Sequence, residues 1–184
     1  MLRDSNRSFG WVSITLHWVT ALVVLGLVPL GLYMTTLSYY DPLYHRLPFI
    51  HRSIGVLVFI AVVARLLWRL ANPQPQALAT HAAWEQRLAA ITHAAMYVLL
   101  FAVTASGYLM STADGHAVSV FGWFELPATI TAIPGQEDVA GDAHFVLALV
   151  LVAVVALHVA GALKHHFVDR DATLRRMLRP QRPQ

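Results

Sequence analysis

The chain lacks cysteine and contains few charged residues. Without cysteine it can form no disulfide, thiolate zinc site, iron–sulfur cluster or covalently attached c-type haem. Charged residues make up 12% of the 184 residues and hydrophobic residues 57%, whereas a soluble domain is about 25% charged. The hydrophobic residues are also concentrated in long blocks. The composition therefore predicts a membrane protein.

Four apolar blocks are long enough to cross a bilayer, which requires about 20 residues each. They cover, approximately, residues 11–34, 48–70, 88–110 and 143–163. Arg52 and Arg65 interrupt the second block, so these side chains must reach the interface or find anionic partners. Residues 111–142 are predicted to form a long loop rich in glycine, proline and acidic residues. We therefore expect a single all-α domain over residues 1–184, a transmembrane four-helix bundle.

The basic residues are distributed unequally between the two ends of such a bundle. With four spans, both termini and the connection between the second and third spans share one side. That side contains eleven of the 13 Lys and Arg residues, and Arg46 and Arg52 remain for the other. The positive-inside rule then predicts that both termini are cytoplasmic. A pI near 9.6 does not indicate a nucleic-acid partner here, because the basic residues cluster at helix ends.

The segment HFVLALVLVAVVALH places a histidine at each end of an apolar run, at His144 and His158. An α-helix turns about 100° and rises about 1.5 Å per residue, so these histidines share one face about 21 Å apart. One lies near each side of the bilayer. This spacing predicts two bound groups, stacked along the membrane normal.

Two other histidines lie at matching depths in neighbouring spans. His17 is level with His158 near the cytoplasmic side, and His51 is level with His144 near the outer side. Two facing imidazoles can bind one haem iron axially, which leaves no open position on the iron and favours electron transfer. The pattern therefore predicts two haem b groups. A proton relay or a transition-metal pathway also uses intramembrane histidines, and both stay open as alternatives.

Several further residues have candidate roles around these groups. Arg52 is a candidate partner for a propionate of the outer haem, and Arg65 and Arg69 either do the same inside or anchor the helix end. His93 is either a reserve ligand or a hydrogen-bond donor. Five glycines either let a macrocycle lie close to the helices or pack helix against helix: Gly26, Gly31, Gly55, Gly107 and Gly161.

The chain resembles the prokaryotic cytochrome b561 family over nearly its whole length. The resemblance is carried by four stretches: SITLHWVTALVV, FIHRSIGVLVFIAVVARLLWRL, HFVLALVLVAVVALH and ALKHHFVDRDATLRRM. It implies a four-helix protein of the bacterial inner membrane that contains two haem b groups. Carried over by matching position, the axial ligands of the haem irons are His17, His51, His144 and His158.

One branch of this family works as superoxide oxidases, which take electrons from superoxide at the periplasmic face and reduce ubiquinone at the cytoplasmic side. The resemblance makes His165 a candidate for quinone contact, or alternatively for binding a propionate or a lipid phosphate. Positive charge from His45, Arg46 and Arg52 would attract the superoxide anion, whereas the acidic loop would repel it. The basic C-terminal segment is expected to contact anionic lipid.

The sequence is therefore compatible with three functions. The first is a superoxide:ubiquinone oxidoreductase. The second is an electron-relay subunit between quinone and a partner dehydrogenase or periplasmic redox protein. The third is a transporter or proton relay without haem.

Overall fold

The computed structural model describes residues 1–78 and 80–180, so Arg182 of the basic segment lies outside the described residues. Four long helices, one short helix and one hairpin make up the fold. In chain order the elements are α1 (Trp11–Met34), α2 (Arg46–Ala71), α3 (Ala83–Ser111), β1 (Val118–Val120), β2 (Phe124–Leu126), α4 (Gln136–Phe167) and α5 (Thr173–Arg176).

The four long helices each have the length and the apolar composition of a membrane span. Their outward faces carry large apolar side chains such as Leu22, Ile60 and Val98, which are at least half exposed. In water this exposure would be unfavourable, but in a bilayer these side chains contact lipid. The expectation of four helices long and apolar enough to span a bilayer is confirmed.

Residues 111–142 are not simply a loop. β1 and β2 form an antiparallel hairpin in this segment, and its turn has positive φ at Phe121 and Gly122, 51° and 73°. α4 begins at Gln136 rather than near residue 143, and Glu137 and Asp138 occupy its first turn. Carboxylates in that position are stabilised by the helix dipole. The segment expected to be a loop therefore contains a short hairpin and the first turns of α4, while the fold as a whole is mostly helical.

A single serine fixes the hairpin to α2. Ser53 is fully buried; its hydroxyl accepts a hydrogen bond from the Phe121 N–H at 3.2 Å and donates one to the Ser119 carbonyl at 3.3 Å. The ring of Phe121 also contacts Phe49 edge to face. The hairpin therefore lies against the first part of α2. Its attachment point, Ser53, is two residues after His51.

The helices pack as neighbours in chain order. α3 packs most extensively against α4, followed by α1 against α2 and α2 against α3. Within the part of the chain that the structure describes, neither α1 nor α2 packs its backbone comparably closely against α4. The side chains that face each other across this wider separation define the candidate site.

Both terminal segments meet the α2–α3 connection at one end of the bundle. The Gln76 N–H donates to the Asn6 carbonyl at 2.9 Å, and Nη1 of Arg176 donates to the Gln76 carbonyl at 2.8 Å. The hairpin lies at the opposite end. The four helices therefore alternate in direction along the bundle.

Substitution of Ser53 tests how the hairpin is held. Ser53→Ala removes both hydrogen bonds to the partly buried Phe121 N–H and Ser119 carbonyl, each worth about 0.5–1.5 kcal/mol. We expect faster amide hydrogen exchange over residues 118–126 in detergent-purified protein. Thr35→Ala is the control, because that exposed hydroxyl, just after the end of α1, donates to the nearby Leu32 carbonyl and is far from the hairpin in sequence. Unchanged exchange in the hairpin would contradict this role for Ser53.

Candidate functional site

The structure brings the outer histidines together across the separation between α2 and α4. The ring centroids of His51 and His144 are 6.1 Å apart, and their planes are inclined by 77°. Both side chains are half-buried. The two imidazoles are therefore neighbours across the bundle.

Neighbouring groups hold the ring of His144 in one tautomer. Its Nδ1 lies 2.9 Å from the Val103 carbonyl, which can only accept a hydrogen bond, and the Ser106 hydroxyl is 3.4 Å away. Nδ1 therefore carries the proton, and the lone pair remains on Nε2. Histidines that bind metals usually have this arrangement, with the second nitrogen donating to a carbonyl or carboxylate.

Two glycines make room for the outer rings. A Cβ at Gly107 would lie 3.0 Å from Cε1 and Nδ1 of His144, and a Cβ at Gly31 would lie 3.3 Å from Cε1 of His51. Within the described residues, Nδ1 of His51 is buried and makes no hydrogen bond. At Gly26, Gly55 and Gly161 an added Cβ would meet nothing within 4 Å.

The inner pair has similar geometry. The ring centroids of His17 and His158 are 6.3 Å apart, with planes inclined by 68°. His93 from α3 lies closer to His158, with a centroid separation of 5.2 Å. Three imidazoles are therefore grouped near the inner end of the bundle.

Ring separation distinguishes the possible ligand pairs. A metal–imidazole bond is about 2 Å long and the ring centroid lies roughly 1 Å behind the nitrogen, so two axial imidazoles place their centroids about 6 Å apart. The outer pair and the His17–His158 pair both match this value, whereas His93 lies too close to His158. The two separations fit one iron between each pair.

An arginine contacts the inner pair. Nη2 of Arg65 lies 2.9 Å from Nδ1 of His17, and its guanidinium lies 5.6 Å from the ring centre of Tyr97. Because a guanidinium only donates, Nδ1 of His17 accepts and Nε2 carries the proton. A metal ligand must offer a deprotonated nitrogen. Iron binding through Nε2 of His17 therefore requires Arg65 to leave this contact.

A cavity of about 360 Å³ opens between α2 and α3 beside the inner pair. Its lining combines apolar side chains with three that carry polar groups, Arg69, His93 and Tyr97. His93 connects this cavity to the inner histidines, because its ring lies 5.2 Å from that of His158.

The other candidate residues lie at the two ends of the bundle. His45, Arg46 and Arg52 are exposed at the start of α2. His165 lies at the opposite end, with its ring 4.3 Å from that of His81. The structure therefore places the three outer cationic candidates near the outer histidine pair, and His165 beyond the inner pair.

Comparison with known proteins agrees with this arrangement. The sequence model of the family described as prokaryotic cytochrome b561 matches residues 8–180. The chain belongs to the prokaryotic cytochrome b561 family. It is accordingly a membrane electron-transfer protein of the bacterial inner membrane that crosses the bilayer several times, and the family implies haem b as its cofactor.

Three relatives show the range of names within the family. "Cytochrome b561 homolog 2" of Escherichia coli is 48% identical over 175 residues, which cover 95% of this chain and 93% of the relative. "Cytochrome b561 homolog 1" of the same organism is 25% identical, covering 94% and 97%. "Probable superoxide oxidase CybB" of Yersinia pestis is 27% identical, covering 96% and 99%.

Sequence reasoning did not identify two contacts within the site. The Val103 carbonyl that orients His144 gives no sequence signal, because every residue has a carbonyl group. The contact between Arg65 and His17 was also missed, although Arg65 had been considered as a propionate partner. Its position within the apolar part of α2 was the available signal, since a buried arginine requires a partner.

Gly107 provides a test of how closely the outer ring must fit. In Gly107→Ala the new Cβ would press on the His144 ring, displacing it by a few tenths of an ångström and weakening its bond to Val103. We expect a lower haem-to-protein ratio and an altered low-spin ferric EPR signal. Gly141→Ala is the matched control, because its Cβ meets only the flexible side chain of Met110. Wild-type haem content and EPR in Gly107→Ala would contradict the fit.

Proposed function

We propose that the protein binds two haem b groups, the outer one between His51 and His144 and the inner one between His17 and His158. The observation that supports this most strongly is the pair of similar ring separations, 6.1 Å and 6.3 Å. α4 contributes one ligand to each pair. When bound, the haem irons supply reversible one-electron oxidation and reduction.

Three features of the side chains favour haem binding. The Val103 carbonyl keeps Nε2 of His144 available as a ligand, and facing imidazoles occupy both axial positions of one metal. The apolar helix faces exclude water from the pair. Arg65, once it leaves His17, is close enough to the inner pair to bind a haem carboxylate, and the exposed Arg52 is our candidate for the outer one.

We further propose that the end of the bundle with both termini is cytoplasmic. The terminal segments and the α2–α3 connection meet at that end, and it carries most of the Lys and Arg residues. Positively charged segments are retained on the cytoplasmic side during insertion. The hairpin, Arg46 and Arg52 are then periplasmic.

The proposed reaction is the oxidation of superoxide coupled to the reduction of ubiquinone. Two superoxide anions, one quinone and two protons give two molecules of dioxygen and one quinol, so each superoxide loses one electron and the quinone gains two electrons and two protons. The name of the Yersinia pestis relative supports this donor. Exposed Arg46 and Arg52 give positive charge where the anion would arrive.

His165 is the proposed quinone contact at the cytoplasmic end. It lies on the same helix as His158, seven residues further along, and its side chain is 15% exposed. An imidazole in this position can donate a hydrogen bond to a quinone oxygen. Alternatively, the His165 imidazole could contact a haem propionate or a lipid phosphate.

An electron-relay subunit is the second candidate function. The hairpin region presents exposed Glu125 and Asp114 together with Trp123, which is 73% exposed. These carboxylates would repel superoxide, whereas an aromatic residue beside acidic groups suits a basic protein partner. The relative at 48% identity carries no superoxide oxidase name. A transporter without haem is the third candidate, and a colourless purified protein would support it.

Superoxide kinetics distinguish the first two functions. After stopped-flow mixing with superoxide, we expect haem reduction near the diffusion limit, about 10⁸–10⁹ M⁻¹ s⁻¹. A double variant, Arg46→Gln with Arg52→Gln, should react several-fold more slowly at low salt, with a smaller difference at high salt because salt screens surface charge. Arg87→Gln at the opposite end is the control. Slow reduction of the wild type would favour the relay.

Single ligand substitutions test the pairing of histidines. His158→Ala should remove the inner haem and leave the outer one, and His144→Ala should do the reverse. Redox titration followed by the reduced α-band would then show a different remaining haem in each variant. His116→Ala, an exposed loop histidine, should retain both haems. Loss of the same haem in both ligand variants would show that the pairing is wrong.

A further inference from the structure

A second group of histidine and carboxylate side chains lies at the inner end of the bundle, outside the four proposed haem ligands. His81 comes from the α2–α3 connection, His165 from the last turn of α4, and Asp171 from the segment before α5. One ring nitrogen of His81, one ring nitrogen of His165 and one Asp171 oxygen all lie within 4.8 Å of one another. Three segments that are distant in sequence therefore meet through metal-ligating atoms.

The three side chains are mostly buried. Their exposed fractions are 15% for His81, 15% for His165 and 7% for Asp171. Oδ2 of Asp171 lies 2.9 Å from Nε2 of His81 and 3.1 Å from Nδ1 of His165. A single carboxylate oxygen therefore faces two imidazole nitrogens in a site that is largely shielded from water.

The nitrogen of His165 has no satisfactory hydrogen bond. Nδ1 lies 2.8 Å from Oδ2 of Asp169 as well as 3.1 Å from Asp171, yet within the described residues neither approach has hydrogen-bond geometry. A buried ring nitrogen without a hydrogen bond is energetically costly. A cation bound in the plane of the ring would remove that cost by accepting the lone pair.

Asp171 is held ready for such a role by its neighbours. Its Oδ1 accepts the Thr173 N–H at 2.7 Å at the start of α5, which leaves Oδ2 directed towards the imidazoles. A metal ligand must be deprotonated, and a carboxylate ordinarily meets that requirement at neutral pH.

We propose that His81, His165 and Asp171 form a site for a divalent transition-metal ion, with Zn²⁺ as the probe. Two imidazoles and one carboxylate are a ligand set that Zn²⁺ uses, with a fourth position for water or another carboxylate. Asp169 also approaches His165, with its Oδ2 2.8 Å from Nδ1, but this oxygen is paired with Lys164.

The surrounding charges are compatible with a dication. Lys164 forms ion pairs with both Glu85 and Asp169, so these three groups together carry one negative charge. Asp171 adds another, and the two offset the charge of the metal. The ion would join the α2–α3 connection to the end of α4 and the segment before α5. The metal would bind Nδ1 of His165, so Nε2 stays available for the proposed quinone contact. The metal site therefore does not depend on bound haem or quinone.

Zinc retention by the full chain in detergent tests this proposal. After equilibration with micromolar Zn²⁺ and gel filtration, we expect one zinc per chain by elemental analysis, and zinc X-ray absorption showing two imidazole ligands. His81→Ala and Asp171→Asn should each weaken binding at least tenfold, since even the loss of a supporting group around a metal site costs about 10- to 100-fold. Asp171→Asn keeps the oxygen that accepts the Thr173 N–H, which limits any effect on folding.

His116→Ala is the matched control. His116 and Asp114 form an exposed pair at 3.0 Å, so this substitution removes a histidine–aspartate contact elsewhere and should leave zinc binding unchanged. Circular dichroism verifies that all the variants remain folded. The proposal is overturned if the wild type retains no zinc, or if folded His81→Ala and Asp171→Asn retain as much zinc as the wild type.

Discussion

The facing of imidazole rings inside an apolar bundle is the constraint on which the rest of the structure depends. A polar ring in hydrocarbon is costly unless another group satisfies it. α4 carries His144 and His158 on one face, and each meets a histidine from another helix, His51 or His17, at about the same ring separation. The outward helix faces are mostly apolar. The four proposed haem ligands therefore lie along one face of α4 and the helix faces opposite it.

The elements around the rings are arranged to keep this geometry. Gly31 and Gly107 allow close approach of the helix backbones to the outer rings, and the Val103 carbonyl fixes the tautomer of His144. Ser53 seats the hairpin beside the outer pair. The inner pair is less strictly fixed, because Arg65 and His93 both contact its members. We therefore expect the outer site to be the more rigid of the two.

The sequence predicted the parts of this arrangement that follow from helical periodicity and bilayer depth. The spacing of His144 and His158 defines one helix face, and the depths of His17 and His51 identify their partners. Periodicity does not reveal contacts between separate segments. The contact from Arg65 to His17 depends on how α1 and α2 are rotated against each other. The hairpin at residues 118–126 and the meeting of His81 with Asp171, 90 residues later, depend on how connections fold at the bundle ends. Those features required the structure.

Quantitative EPR of the fully oxidised protein tests the central claim most directly, because the ferric signal reports the axial ligands and the amount of each haem. We predict two distinct low-spin bis-imidazole signals that together account for about two haems per chain. A single haem per chain, or a high-spin signal with the intensity of one whole haem, would contradict the account, because one of the two histidine pairs would then not be binding iron from both sides.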